Sequence, residues 1–116
     1  MILKEVGYHA FNTYAFVMLN RNYPKHQFWS SRNFKSIIEY LNSPEYRSEI
    51  YSSKYGFHYN PPGFEVLASR FHFHKSHEIE ETFVSELWRH QLDLCWNDTD
   101  KIMSNGSFDR NTNAAR

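Results

Sequence analysis

The chain has 116 residues and a mass of 14.0 kDa, enough for one core and too little for two ordinary ones. Thirteen basic side chains cancel thirteen acidic ones, which argues against a nucleic-acid footprint, and a single cysteine excludes a disulfide framework. Ten Phe, eight Tyr, three Trp and seven His stand against only seven Leu, six Ile and four Val. Leu, Ile, Val and Phe still make up 27 of the 116 residues, above the roughly 20% below which disorder is expected. The core is therefore expected to be ring-rich, with polar tips that need partners. No apolar run approaches the roughly 18–20 residues of a membrane span. The opening MILKEVGYHAF lacks the basic region, long apolar stretch and cleavage site of a signal peptide. A cytoplasmic location is the default expectation, with a secreted or periplasmic one left open if the N-terminus is processed. Neutrality is a cancellation. Residues 1–58 hold seven basic and four acidic groups, residues 59–116 six and nine.

In chain order, residues 5–20 read as a helix, with Tyr8, Phe11, Ala15, Met18 and Leu19 as its apolar stripe. Phe16 and Val17 flank that stripe, so the helix is apolar around most of its girth and is expected to be buried on two sides. Pro24 ends it. Ser30 or Ser31 is a natural cap for a second helix through Asn42, burying Phe34, Ile37, Ile38 and Leu41. Ser43-Pro44-Glu45 restarts the chain as cap, first-turn proline and first-turn acid, opening a third helix to about Ser53 that buries Tyr46 and Ile50. Residues 54–63 form the clearest loop, since Gly56 suits a helix C-terminus and Asn60-Pro61-Pro62-Gly63 continues neither helix nor central strand. A fourth helix starts at Pro62 or Gly63, with Phe64, Leu67, Ala68 and Phe71 inward. Ser76 is expected to cap a fifth over about 77–95, with Ile79, Phe83, Leu87 and Leu94 inward and its glutamates toward the N-terminal half.

After Trp96 the chain turns polar. Asn97-Asp98-Thr99-Asp100 and Ser104-Asn105-Gly106-Ser107 are turn chemistry. Asn97 and Asn105 also head formal glycosylation acceptor triplets, which mean little without a secretory signal. Residues 111–116 read as the opening of a further helix. No stretch alternates with period 2, so the fold class is all-α, about five helices arranged as antiparallel hairpins. The expected division is a helical unit over 1–96 and a polar, turn-rich tail over 97–116. An all-round apolar first helix and an unfinished last element suit either a slice of a larger helical protein or a small helical domain with a frayed tail. No residue-level repeat of fixed period supports a regular solenoid.

The segments YHAFNTYAF, YPKHQFW and KYGFHYNPPGFE resemble pieces of an (α/α) toroid of carbohydrate-active enzymes, such as six-hairpin glycosidases, sugar 2-epimerases and polysaccharide lyases. The resemblance covers residues 5–96 in texture. It implies helix hairpins in a ring, with aromatic platforms, His, Tyr, Asn and carboxylates around a saccharide at one end.

Three constellations carry chemistry. The densest is Phe71-His72-Phe73-His74-Lys75-Ser76-His77-Glu78, followed by Glu80 and Glu81. Extended backbone would put His72 and His74 on one side, and a helix would pair His74 with Glu78 and His77 with Glu81. Either geometry could start a site for a divalent metal such as zinc through His72, His74 and His77. The competing reading is a hinge whose histidines are solvated or capping. The second constellation is the loop with Phe57, His58, Tyr59 and Asn60, plus Glu65 one turn into the next helix. Its rings would stack on sugar C–H faces while His58, Asn60 and Glu65 meet hydroxyls. Alternatively, Phe57 and Tyr59 plug the loop onto the core. The third is His9 with Asn12 on helix 1, lining a cavity or satisfied against a partner helix.

The sequence therefore supports a carbohydrate-acting or carbohydrate-binding helical segment of unassigned reaction type. Its candidate catalytic groups are His9, His58 and Glu65, and its candidate binding groups Asn12, Phe57, Tyr59 and Asn60. Two alternatives are a non-catalytic helical module that docks on another chain, or a metal-binding protein through the 72–77 histidines. The expected partners are a saccharide and either a second copy or the remainder of a larger chain, without nucleic acid or membrane. No cofactor is expected outside the metal reading.

Overall fold

The computed structural model describes residues 3–106. Five α-helices build it: α1 (Leu3–Asn22), α2 (Arg32–Leu41), α3 (Pro44–Ser52), α4 (Pro62–Phe73) and α5 (Glu81–Cys95). A single 3-10 turn at Gln27–Ser30 joins α1 to α2. Among the described residues there is no strand, only an isolated antiparallel bridge between Asn97 and Ile102. The all-α fold class is as expected from the sequence. No helix of the described residues is long and apolar enough to cross a membrane. The further helix expected over 111–116 lies outside the described residues.

The helix starts follow local chemistry. Ser31 caps α2, its Oγ accepting the Phe34 N–H at 3.2 Å, and Ser43 caps α3 by accepting the Tyr46 N–H at 3.1 Å. Pro44 sits in the first turn of α3, where a missing N–H costs nothing. α3 buries Tyr46 and Ile50 as the spacing predicted, and α2 buries Phe34, Ile38 and Leu41 but leaves Ile37 half-buried.

Two helices depart from the predicted stripe. α1 buries Val6, Ala10, Thr13 and Val17, while Phe11, Met18 and Leu19 stand 47%, 46% and 47% exposed. α4 buries Glu65, Val66, Ser69 and Phe73, and leaves Phe71 66% exposed and Phe64, Leu67 and Ala68 half-buried. The reason is proximity. α1 packs closely on α4 and α3, and small side chains let helix backbones approach where large ones would hold them apart. The buried hydroxyls cost little because each is satisfied within its own helix. Thr13 Oγ1 donates to the His9 carbonyl and Ser69 Oγ to the Glu65 carbonyl, both at 2.8 Å.

α1 and α4 run parallel. Asn60, just before α4, bonds Gly7 near the start of α1, and His72 near the end of α4 bonds Asn20 near the end of α1. α5 then packs along α4, where Gly63 lets the two backbones meet. The core is rich in edge-to-face rings: Phe34 lies 5.0 Å from Phe73 and 5.2 Å from Trp29 between centroids.

The start of α5 also differs from the local reading. Ser76 does not cap it. Residues 76–80 are non-helical and α5 begins at Glu81. Asn42, at the end of α2, holds this segment extended: its Nδ2 donates to the Glu78 carbonyl at 2.8 Å and its Oδ1 accepts the Glu80 N–H at 2.9 Å. Arg70 adds a bond from Nε to the Ile79 carbonyl at 3.0 Å. Beyond α5, Asn97 organises a tight turn. Its Oδ1 accepts the N–H groups of Thr99 and Asp100, and its Nδ2 donates to Asp100 and Ser104.

Candidate functional site

The inversion of α1 and α4 creates the feature of most functional interest. With small residues at the contact, the large ones line an open cleft between the two helices. Phe11 and Tyr14 come from α1, Pro61 precedes α4, and Phe64, Glu65 and Ala68 come from α4. The cleft encloses about 320 Å³. Its aromatic wall continues past the start of α1, because Tyr8 lies 6.2 Å from Phe11 and 6.0 Å from both Tyr55 and Tyr59.

Glu65 is the carboxylate among the described residues lining this cleft, and it is only 7% exposed. It sits in the first turn of α4, where the helix dipole favours a negative charge. Its charge reaches the interior. The Tyr46 hydroxyl is held well above the ordinary tyrosine range, by burial first and by Glu65 second. Among the described residues, neither that hydroxyl nor the Tyr40 hydroxyl, both buried, has a hydrogen-bond partner.

His9 lies on the other side of α1. Its Nε2–H donates to the Ile37 carbonyl at 2.9 Å, and its ring meets Tyr40 edge-on at 4.7 Å. Burial pushes the imidazole below the ordinary histidine range, an effect the bond to Ile37 only partly offsets. His9 is thus anchored and half-buried on the Ile37 side of α1. Asn12 is exposed beside it and shares a shallow depression with Ala15, Phe16 and Ile37. The structure therefore separates His9 and Asn12 from Glu65 rather than lining one end with all three.

The 57–60 loop divides in the same way. Phe57 is buried, packed against Tyr51 at 5.3 Å and His90 at 4.5 Å, and so plugs the loop onto α5. Asn60 is buried too, with Nδ2 donating to the Gly7 and Tyr55 carbonyls at 3.2 and 2.8 Å. Both side chains are buried and brace the loop against its neighbours. His58 donates from Nδ1 to the Gly106 carbonyl, which ties the loop to the segment after α5. Tyr59 is 38% exposed and lies near the cleft wall.

The three histidines of the expected metal cluster do not converge. His72 donates from Nε2 to Asn20 Oδ1 at 2.7 Å, His74 from Nδ1 to the Phe71 carbonyl at 2.7 Å, and His77 bonds Ser76 Oγ at 3.0 Å while its ring packs on Phe34. Among the described residues no group of three His, Cys, Asp or Glu side chains is placed to hold a metal ion. The physical reason is that Asn42 and Arg70 hold residues 78–80 extended, which removes the helical register that would have paired these histidines with Glu78 and Glu81.

Sequence reasoning missed two groups that shape the site. It assigned Phe11 and Phe64 to the core, although the all-round apolar character of α1 already implied a second apolar face. It also passed over Gln91, which is fully buried on α5. Gln91 accepts the Gly63 N–H with Oε1 at 3.4 Å, and its Nε2 donates to the Phe57 carbonyl at 3.3 Å and lies 3.2 Å from Cys95 Sγ. One side chain thereby fixes both the loop and the start of α4 that carry the cleft.

The cleft thus offers aromatic faces for ring contacts and one carboxylate that can accept hydrogen bonds. Hydrolysis by paired carboxylates takes a second acid across the bond. The described lining supplies binding groups and assigns no reaction.

Comparison with known proteins gives one informative relationship. The chain is 38% identical over 114 residues to a Haloferax volcanii protein named archaeal glycosylation protein Q. The match takes in 97% of this chain but 30% of that protein, so the chain spans less than a third of its relative's length. No family model matches the sequence. No solved structure matches it.

Proposed function

We propose that this chain works in glycosylation, as a carbohydrate-binding helical unit whose saccharide lies in the cleft between α1 and α4. The observation that carries the reading is the 38% identity, sustained over almost the whole chain, to a protein named for glycosylation. The cleft supplies compatible chemistry: Phe11, Tyr14 and Phe64 as platforms and Glu65 as hydrogen-bond acceptor, with Tyr59 near its end. The finer reading is a segment of an (α/α) toroid. It is supported by the all-helical order and by α1 and α4 lying side by side in parallel, as neighbouring helices of one layer in a ring of hairpins do.

A glycan panel screened by thermal shift tests this reading. At least one saccharide should raise the melting temperature, and Tyr14→Ala or Phe64→Ala should weaken its binding by about fivefold to tenfold. Both side chains are only partly buried, so the variants should keep the parent fold. No stabilisation by any glycan would refute the proposal. So would stabilisation that survives both substitutions, as far as the cleft is concerned.

A further inference from the structure

We infer that the cavity where α1 and α4 end is a second binding site, one for a small anionic sugar, either phosphorylated or carboxylated. It stands apart from the α1–α4 cleft and does not depend on a saccharide there. Because the two helices run parallel, both reach their C-termini at the same end of the molecule, where His72 meets Asn20. The YPKHQFW turn that follows α1 supplies a further wall. The result is an open cavity of about 400 Å³, within the roughly 300–1,000 Å³ of small-molecule sites.

Charge selects the ligand. Among the described residues, the ionisable side chains lining this cavity are Lys25, His26 and His72, and none is an acid. Burial, and then the positive field of Arg21, hold the His72 imidazole below the ordinary histidine range. Neither Lys25 nor Arg21 has an ion-pair partner among the described residues. Glu39 of α2, whose charge reaches His77, is paired with Lys35 at 3.7 Å. Two helix C-termini would repel an anion through bare carbonyls. Here the chain itself occupies several of them. Leu19 accepts from the Tyr23 N–H, and Tyr23 from the His26 N–H and the Trp29 indole. Phe73 accepts the N–H groups of Ser76 and His77.

The remaining groups suit a sugar rather than a bare ion. Trp29 is half-buried, with Nε1–H donating to the Tyr23 carbonyl at 2.7 Å and its ring edge-on to Phe34. A fixed aromatic ring therefore lines the cavity and can cover an apolar C–H face. His72 donates from Nε2 to Asn20 Oδ1 at 2.7 Å, which leaves the Nδ2 donors of Asn20 and Nδ1 of His72 for hydroxyls. The exposed Gln27 amide adds a donor and an acceptor, and Lys25 brings a flexible point charge to the acidic group.

NMR titration of the chain with glucose 6-phosphate, glucuronate, glucose and inorganic phosphate tests this, and the first two tell a phosphorylated from a carboxylated ligand. At least one acidic sugar should shift the Trp29 indole N–H resonance and raise the His72 titration midpoint by about half a pH unit. Its affinity should exceed those of glucose and inorganic phosphate by about tenfold or more. Lys25→Gln should weaken that binding by about fivefold or more, and Lys25→Arg should preserve it. Lys25 is exposed, so both variants should keep the parent melting temperature. Tyr14→Ala, in the cleft, should leave the binding unchanged. Silence of Trp29 and His72 toward both acidic sugars overturns the inference, as does glucose binding equally well. Inorganic phosphate binding as tightly as the sugars also overturns it and assigns the cavity to a bare anion. A response lost in Tyr14→Ala but kept in Lys25→Gln overturns it too, and returns the ligand to the cleft.

Discussion

Gly7 of α1 and Tyr55 of the following connection pack with no space for a methyl group: a Cβ at position 7 would lie 2.5 Å from the Tyr55 carbonyl carbon. Asn60 locks the pair by donating to the carbonyls of both residues. This contact sets how the 54–60 segment meets α1, and hence where the Tyr59 end of the cleft falls. Gly7→Ala gains helix propensity of about 1 kcal/mol but drives a side chain into backbone that cannot rotate away. A net loss of about 1–3 kcal/mol in urea unfolding is expected. An unchanged midpoint would show that the segment shifts freely.

Gln91 joins Gly63 to Phe57 from inside the core, so its loss leaves buried backbone groups without partners. Gln91→Leu keeps most of the volume and should still cost about 1–3 kcal/mol. Gln91→Glu, which cannot donate from Nε2 and would bury a charge, should be worse. A Leu variant as stable as the parent would mean that packing, and not hydrogen bonding, holds the loop.

Arg70 separates two kinds of bond. Its Nη2 pairs with Glu81 at 2.9 Å, but the Glu81 side chain is 78% exposed and such pairs contribute little. Its Nε–H to the Ile79 carbonyl is a part-buried bond that fixes the non-helical segment before α5. Glu81→Gln is therefore expected to change stability by no more than about 0.5 kcal/mol, and Arg70→Ala to cost about 1–2 kcal/mol. Chemical denaturation of the two variants side by side reads the difference.

The histidines predict the pH dependence. Burial is the first cause that lowers His9, His72 and His77 in the folded chain, reinforced by Arg21 at His72 and by Lys35 at His77. A depressed histidine binds its proton more readily when unfolded. Their combined contribution is then complete above pH 6.5 and declines as pH falls below it toward their folded values. Unfolding midpoints should drop between pH 7.5 and 5.5, and His9→Gln, which can still donate to Ile37, should flatten part of that slope. A slope unchanged by His9→Gln would locate the effect at His72 and His77.

How far the sequence was legible varies element by element. α2 and α3 were readable to their caps and core positions, because Ser31 and Ser43 act within four residues and Phe34, Ile38, Tyr46 and Ile50 keep a clean period. Glu65 and Tyr59 were singled out from residue type and fall at or near the cleft, whereas Phe57 and Asn60 turned inward and His9 lies half-buried on the other side of α1. Residue type says what a side chain can bond. It does not say whether a carbonyl such as that of Ile37 or Gly7 arrives from elsewhere in the chain to bond it.

The sequence by itself determined the all-α class, the order of five helices and the ring-rich core, since these rest on local period, caps and breakers. It also marked α1 as apolar on both sides. Only the tertiary structure decided which side is core. Small residues won the inside of α1 because its neighbours pack too close for large ones, as Gly7 against Tyr55 shows. Only the tertiary structure, likewise, delayed α5 to Glu81, because Asn42 offers the 78–80 backbone two bonds from a distance of almost forty residues. The cleft and the outward face of α1 follow from that same choice: large side chains excluded from a close helix contact must line whatever lies outside it.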